Sequence, residues 1–160
     1  MKKLTHALAL TLGLAAAIAL PALAQAREVT FTTELKSYGG DGAYVALYLT
    51  DASGQYRGTL WVAGEKPKYY KHLRDWARGS GLRSSEYDGL TGASVGSGRS
   101  LTVTLDLADA LIDAGYEVRV DTSVEEMRDN RADVVVPLTT AGAGQPVSGR
   151  GYVRSFSYTF

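Results

Sequence analysis

The recurrence of apolar and β-branched residues at every second position is the feature that most constrains the fold of this chain. In the first such segment, every second position carries one of the residues Val29, Phe31, Thr33 and Leu35. Because successive side chains of a β-strand point to opposite faces, this period of two predicts a half-buried strand. About seven such segments, separated by turn residues, predict an all-β fold, an antiparallel β-sandwich of the immunoglobulin-like kind.

A hairpin in residues 44–62 is the most distinct local prediction. Val45, Leu47 and Leu49 share one face of its first strand, and the alternation resumes from residue 56 onwards. The turn sequence Asp-Ala-Ser-Gly lies between the two strands, with Gly54 at a position suited to a positive φ.

One short helix is predicted from residue 67 to residue 78. Pro67 is tolerated in a first helical turn, where its missing N–H would have no partner anyway. Tyr69, Leu73 and Trp76 then recur at helical spacing, and Gly79 is expected to end the helix. We expect this amphipathic helix to cover an end or an edge of the sandwich.

The first 24 residues have the pattern of a cleaved secretory signal. Lys2 and Lys3 precede an apolar run over residues 8–20, and small residues suited to cleavage follow. The cut is expected after residue 24 or after residue 26, and an uncleaved anchor remains the alternative. The run is short for a membrane span, which needs about 20 residues. The prediction is therefore one exported, soluble, periplasmic domain over residues 27–160.

Charge and composition exclude several classes of function. The chain has 17 basic and 17 acidic residues, and removal of Lys2 and Lys3 leaves the exported part slightly acidic, which argues against nucleic acid as a partner. Without cysteine there is no ligand set for haem c or an iron–sulfur cluster, and one histidine outside the signal makes no metal site. Glu125, Glu126 and Asp129 lie in a polar segment, where the sequence gives no reason to assign acid–base roles. We expect no catalytic residues.

Residues 79–100 form a long polar segment rich in glycine and serine, a length at which loops are usually functional or disordered. Residues 88–94 within it read Asp-Gly-Leu-Thr-Gly-Ala-Ser. This heptapeptide resembles the site at which bacterial flavin transferases attach FMN to a hydroxyl through a phosphoester. The resemblance implies that Ser94 is the covalent FMN acceptor. It also implies that the recognition element consists of Asp88, Thr91, Gly92 and Ala93.

The hairpin and the segment Lys-Tyr-Tyr at residues 68–70, followed by Leu73 and Trp76, are similar to a family of bacterial periplasmic domains of unknown function. The similarity covers nearly all of the exported chain. It implies an exported sandwich domain that accompanies membrane redox or iron-uptake proteins of the PepSY type.

Two functions from different classes follow. The first is a periplasmic flavoprotein that transfers electrons in a membrane-linked redox or iron-reduction system, with FMN as cofactor. A flavin transferase and a PepSY-type membrane protein would be its partners. Since stacking on an aromatic side chain stabilises a flat isoalloxazine ring most, Tyr70 is the candidate residue to stack against it. The second is a non-enzymatic binding or accessory module without a cofactor.

Overall fold

A computed structural model describes residues 25–160, so the predicted signal sequence lies outside the described residues. This part of the chain contains eight β-strands and one α-helix. The strands are β1 Ala26–Leu35, β2 Tyr44–Thr50, β3 Tyr56–Ala63, β4 Thr91–Gly92, β5 Ser100–Ala108, β6 Glu117–Ser123, β7 Asn130–Pro137 and β8 Val153–Thr159. The helix is α1 Arg74–Ser80, and short 3₁₀ helices occupy Pro67–His72, Ser84–Glu86 and Asp109–Leu111.

The strands form two sheets that enclose one core. The smaller sheet has the order β5-β1-β8, and the larger has the order β4-β3-β2-β6-β7. All pairings are antiparallel except the short one between β3 and β4. Apolar side chains from both sheets meet in a single cluster between them. The predicted all-β sandwich is thus confirmed.

Strand β1 shows why the period of two was informative. Its central position in the smaller sheet buries one face completely, with Val29, Phe31, Thr33 and Leu35 all at most 1% exposed. The ring of Phe31 packs against that of Phe156 on β8, with centroids 6.4 Å apart. The residues between them are only half-buried in this part of the strand.

The β2–β3 hairpin is also confirmed. Its turn places Gly54 at a φ of +81°, which an L-residue adopts only with strain. The Asp51 carboxylate accepts hydrogen bonds from the backbone N–H groups of Ser53 and Gln55 and from the guanidinium of Arg57. The hydroxyl of Ser53 also donates to this carboxylate, and this bond, followed by those from Arg57 and the backbone, holds the pKa of Asp51 well below its usual range.

The predicted helix differs from the observed one in three ways. The chain forms a 3₁₀ helix over Pro67–His72 and only then α1, which ends at Gly81 in the left-handed conformation rather than at Gly79. Because a 3₁₀ helix has three residues per turn, the buried stripe consists of Tyr70, Leu73 and Trp76 and leaves Tyr69 half-buried.

The two helical segments lie on the outer face of the larger sheet, not at an end or an edge of the sandwich. Their buried residues form a second cluster with three side chains of β2 and β3, namely Ala46, Tyr48 and Val62. Strand β2 is therefore buried on both of its faces. Within residues 25–160 no helix is long and apolar enough to cross a membrane.

Candidate functional site

The heptapeptide of residues 88–94 is held in place by backbone hydrogen bonds on both sides of the predicted acceptor. On one side, the N–H of Gly64 donates to the carbonyl of Gly92 over 2.7 Å, next to the β3–β4 pairing. On the other side, Ala43 and Val95 exchange two N–H···O bonds of 2.7 and 2.9 Å. Between these bridges only Ala93 and Ser94 span the gap, and both are exposed.

Two glycines make room for this arrangement. A Cβ atom at Gly42 would lie 2.5 Å from Oγ of Ser94, so the serine side chain rests directly against a glycine backbone. A Cβ atom at Gly92 would lie 2.9 Å from the indole ring of Trp61. Gly92 therefore has a packing role against Trp61 in addition to its place in the predicted recognition element.

The remaining predicted recognition residues lie at the start of the segment. Asp88 and Thr91 are exposed, and the backbone N–H of Asp88 donates to the carbonyl of Ser84 over 2.8 Å. This bond ties the aspartate to the 3₁₀ helix Ser84–Glu86. The structure thus gives residues 79–100 more regular structure than the sequence indicated, with a 3₁₀ helix and the strand β4 inside them.

A cavity of about 470 Å³ opens beside Ser94, and we name it the Ser94 cavity. Its volume lies within the range of about 300–1,000 Å³ that small-molecule sites occupy. Ala93 and Ser94 line one side, and the rings of Tyr44 and Tyr69 form an aromatic wall with their centroids 5.7 Å apart. Met127 lines the cavity as well, a flexible apolar side chain that adapts to flat ligands.

Negative charge dominates the lining of the Ser94 cavity. One lysine, Lys66, and one histidine, His72, stand against five carboxylates, those of Asp41, Glu65, Glu125, Glu126 and Asp129. Within residues 25–160, no three carboxylate or imidazole groups are arranged to hold a metal ion. The cavity therefore has an electrostatic preference for positive or neutral groups.

Asp129 connects the helical segment to the loop between β6 and β7. Its carboxylate accepts hydrogen bonds from Nε of Arg74 at 2.9 Å and from the hydroxyl of Ser123 at 2.8 Å, and it lies 3.2 Å from Nδ1 of His72. Burial alone would raise the pKa of Asp129, but these bonds outweigh that effect and hold the pKa below its usual value. Asp129 is therefore an anion at neutral pH that fixes one wall of the cavity.

Asp121, on β6, holds α1 against the larger sheet. One of its oxygens accepts the backbone N–H groups of Asp75 and Trp76 in the first turn of α1, which has no capping side chain of its own. The other accepts the hydroxyl of Tyr48 and the N–H of Ala132. Desolvation raises the pKa of Asp121, and these bonds offset only part of the rise.

Tyr70 does not lie where the sequence led us to place it. The ring is 2% exposed, packs edge-on against Trp76 and Tyr87, and its hydroxyl donates to the carbonyl of Gly64. Burial raises the pKa of this hydroxyl. A flavin ring has no access to such a buried face, so Tyr70 is a core residue, and the aromatic surface beside Ser94 belongs to Tyr44 and Tyr69.

Sequence reasoning missed most of the cavity lining. Gly42 precedes β2, and Tyr44 is its first residue. Tyr69 lies in the 3₁₀ helix Pro67–His72, and the carboxylates of residues 125–129 follow β6. These segments are distant along the chain, and only the strand pairings bring them together. The one available signal was the run of two glutamates and Asp129 in a polar segment, and on its own it pointed to no particular chemistry.

Comparison with known protein families gives one match. Residues 26–155, nearly all of the described chain, match the family described as a predicted periplasmic protein, DUF2271. No curated protein and no solved structure matches significantly. The family match confirms the predicted periplasmic location and the expected similarity to periplasmic domains of unknown function.

Proposed function

We propose that this chain, which belongs to the DUF2271 family of predicted periplasmic proteins, is a flavoprotein that carries FMN covalently on Ser94 and serves as an electron carrier. The observation that carries the proposal is the coincidence of the acceptor motif with a cavity. Ser94, the residue that the heptapeptide marks as the acceptor, lines an aromatic-walled space large enough for a small molecule.

The exposure of Ser94 suits the attachment reaction. Its hydroxyl has to enter the active site of a flavin transferase and attack the FMN phosphorus of flavin adenine dinucleotide. The bond from Oγ to phosphorus forms, the phosphoanhydride bond breaks, AMP leaves, and the hydroxyl proton passes to a base. Asp88 is exposed on the same segment and is available as that base or as a ligand for the transferase metal.

The residues around Ser94 suit the attached group. Tyr44 and Tyr69 offer aromatic faces and edges, and Met127 offers a polarisable contact for a flat ring. Bound FMN supplies the redox chemistry, and the chain supplies position and electrostatics. Because five carboxylates line the cavity, they oppose any added negative charge on the ring, so we expect an attached flavin to have a lowered reduction potential.

The proposal is tested by coexpression with a flavin transferase in the periplasm, followed by visible absorbance of the purified protein. The wild type should be yellow, and Ser94→Ala should be colourless. Ser97→Ala is the matched control, since its hydroxyl lies three residues away and accepts the N–H of Gly39. Colourless wild-type protein, or Ser94→Ala protein with the full flavin content, would overturn the proposal.

A second candidate is a binding module without a cofactor, with the PepSY-type membrane protein or a small ligand as partner. The acidic lining of the Ser94 cavity favours it, because five carboxylates suit a cationic ligand. Here Ser94→Ala would leave binding intact, whereas charge removal at Glu125 and Glu126 would weaken it. Calorimetry with a diamine such as putrescine separates this candidate from the flavoprotein.

A further inference from the structure

A second cavity, of about 760 Å³, adjoins the first, and we name it the arginine cavity. The two share His72, Met127 and Asp129 in their linings. The lining of the second also includes four arginines, which come from three parts of the chain: Arg74 from α1, Arg128 and Arg131 from the start of β7 and the loop before it, and Arg150 from the β7–β8 connection. Only two carboxylates, those of Asp129 and Asp133, accompany them.

Both carboxylates already have donors inside the protein. Asp129 is bonded to Arg74, Ser123 and His72, as described above. Asp133 is 2% exposed, and it accepts the hydroxyl of Thr122 and the backbone N–H groups of Gly151 and Val153. Asp129 therefore offsets the charge of Arg74, and neither carboxylate is paired with Arg128, Arg131 or Arg150.

The arginines, in contrast, keep donors to spare. Arg150 donates to the carbonyl of Ala132 through one nitrogen, and Arg131 approaches Asp75 only to 3.8 Å, beyond hydrogen-bond distance. Arg128 and Arg150 are both exposed. Like charges gathered on one concave surface repel each other, and an anion that bridges them relieves that repulsion.

We infer that the arginine cavity binds a small molecule with two or more carboxylate or phosphate groups. Guanidinium groups recognise both by paired N–H···O bonds, which explains why arginine rather than lysine lines the site. The adjoining Ser94 cavity carries the opposite charge, so the two cavities sort ligands by charge. The inference does not depend on a flavin at Ser94.

Calorimetric titration of unmodified protein, prepared without a flavin transferase, tests the inference at low ionic strength. Citrate and pyrophosphate are the two probes, and their relative affinity distinguishes carboxylate from phosphate ligands. Acetate is the singly charged control. At least one of the two multivalent anions should bind with a defined stoichiometry of one, and acetate should bind far more weakly.

Single substitutions locate the site. Arg128→Gln and Arg150→Gln should each weaken binding by about tenfold, which corresponds to about 1.4 kcal/mol, because each removes charge-assisted hydrogen bonds to the anion. Arg154→Gln removes the same charge from the smaller sheet, where the arginine pairs with Glu34, and should leave affinity unchanged. Arg128→Lys retains the charge and should keep part of the affinity. No binding of either anion, or equal weakening by Arg154→Gln, would overturn the inference.

Discussion

Replacement of Asp121 by asparagine should destabilise the protein and loosen the wall of the Ser94 cavity together. Asp121 accepts four hydrogen bonds at 2.8 to 3.0 Å, two of them from the first turn of α1. The 3₁₀ helix that carries Tyr69 and His72 runs directly into that turn. The buried carboxylate therefore fixes the helical segments on the sheet.

The expected loss of unfolding free energy follows from the four groups that donate hydrogen bonds to Asp121. The amide oxygen of asparagine can keep both bonds to α1, and its NH₂ group then faces the hydroxyl of Tyr48 and the N–H of Ala132. The hydroxyl can rotate and accept, but the buried N–H of Ala132 loses its acceptor, at a cost of about 1–3 kcal/mol. We expect a loss of about 2 kcal/mol for Asp121→Asn and clearly more for Asp121→Ala, which leaves all four donors without this acceptor. Tyr48→Phe removes one bond and should cost about 1 kcal/mol.

Urea denaturation of the three variants measures these losses. It also tests the sign of a pH effect, since desolvation raises the pKa of Asp121 in the folded state. The contribution of Asp121 to the free energy of unfolding is then fully present below the unfolded pKa of about 3.9 and declines as pH rises through the raised value. The difference between wild type and Asp121→Asn should therefore shrink as pH rises. A cost for Asp121→Asn no larger than that of Tyr48→Phe would refute the reasoning.

Three further predictions follow from the same geometry. Asp129→Asn should show the opposite pH effect: the folded pKa of Asp129 is lowered, so its contribution is present above about pH 3.9 and lost as pH falls, which urea denaturation at pH 7 and pH 3 measures. Gly64→Ala should cost about 3 kcal/mol, because its φ is +131° and the new Cβ would meet the ring of Tyr44; an unchanged urea midpoint contradicts this. Gly42→Ala should displace the Ser94 side chain and lower flavin attachment with little loss of thermal stability, so normal flavin content refutes it.

The strands could be predicted because buried residues occupy every second position along them. In β1 the residues at odd positions from 29 to 35 are the buried ones, which is the pattern that a strand between a core and solvent imposes. Strand β2 is buried on both faces, and its mixture of apolar and aromatic residues reflects this. The all-β class and the hairpin therefore followed from local signals.

The helical stripe could not be predicted, because two spacings fit the same residues. Leu73 and Trp76 belong to the stripe of an α-helix and of a 3₁₀ helix alike, and only the choice between Tyr69 and Tyr70 differs. With 3.6 residues per turn, an α-helix would bury Tyr69 against the sheet and leave Tyr70 available for stacking. The 3₁₀ geometry exchanges the two, so the residue expected to contact a ligand is in the core.

The site was predictable only in part, for a topological reason. The acceptor motif is one continuous segment, so the sequence alone singled out Ser94. The Ser94 cavity draws on four separated segments, and no local pattern says that Tyr44 and Met127 lie on either side of the same space. The buried aspartates are likewise meaningful only once their donors on α1 and on the β7–β8 connection are known.

Peptide mapping by tandem mass spectrometry tests the central claim most directly. Trypsin should release residues 84–99 as one peptide, bounded by Arg83 and Arg99, from protein made with a flavin transferase. The peptide contains six hydroxyl side chains, and fragment ions distinguish Ser94 from the other five, those of Ser84, Ser85, Tyr87, Thr91 and Ser97. We expect the mass of one FMN phosphoester, on Ser94 alone. An unmodified peptide, or FMN on Thr91 or Ser97, would contradict the claim.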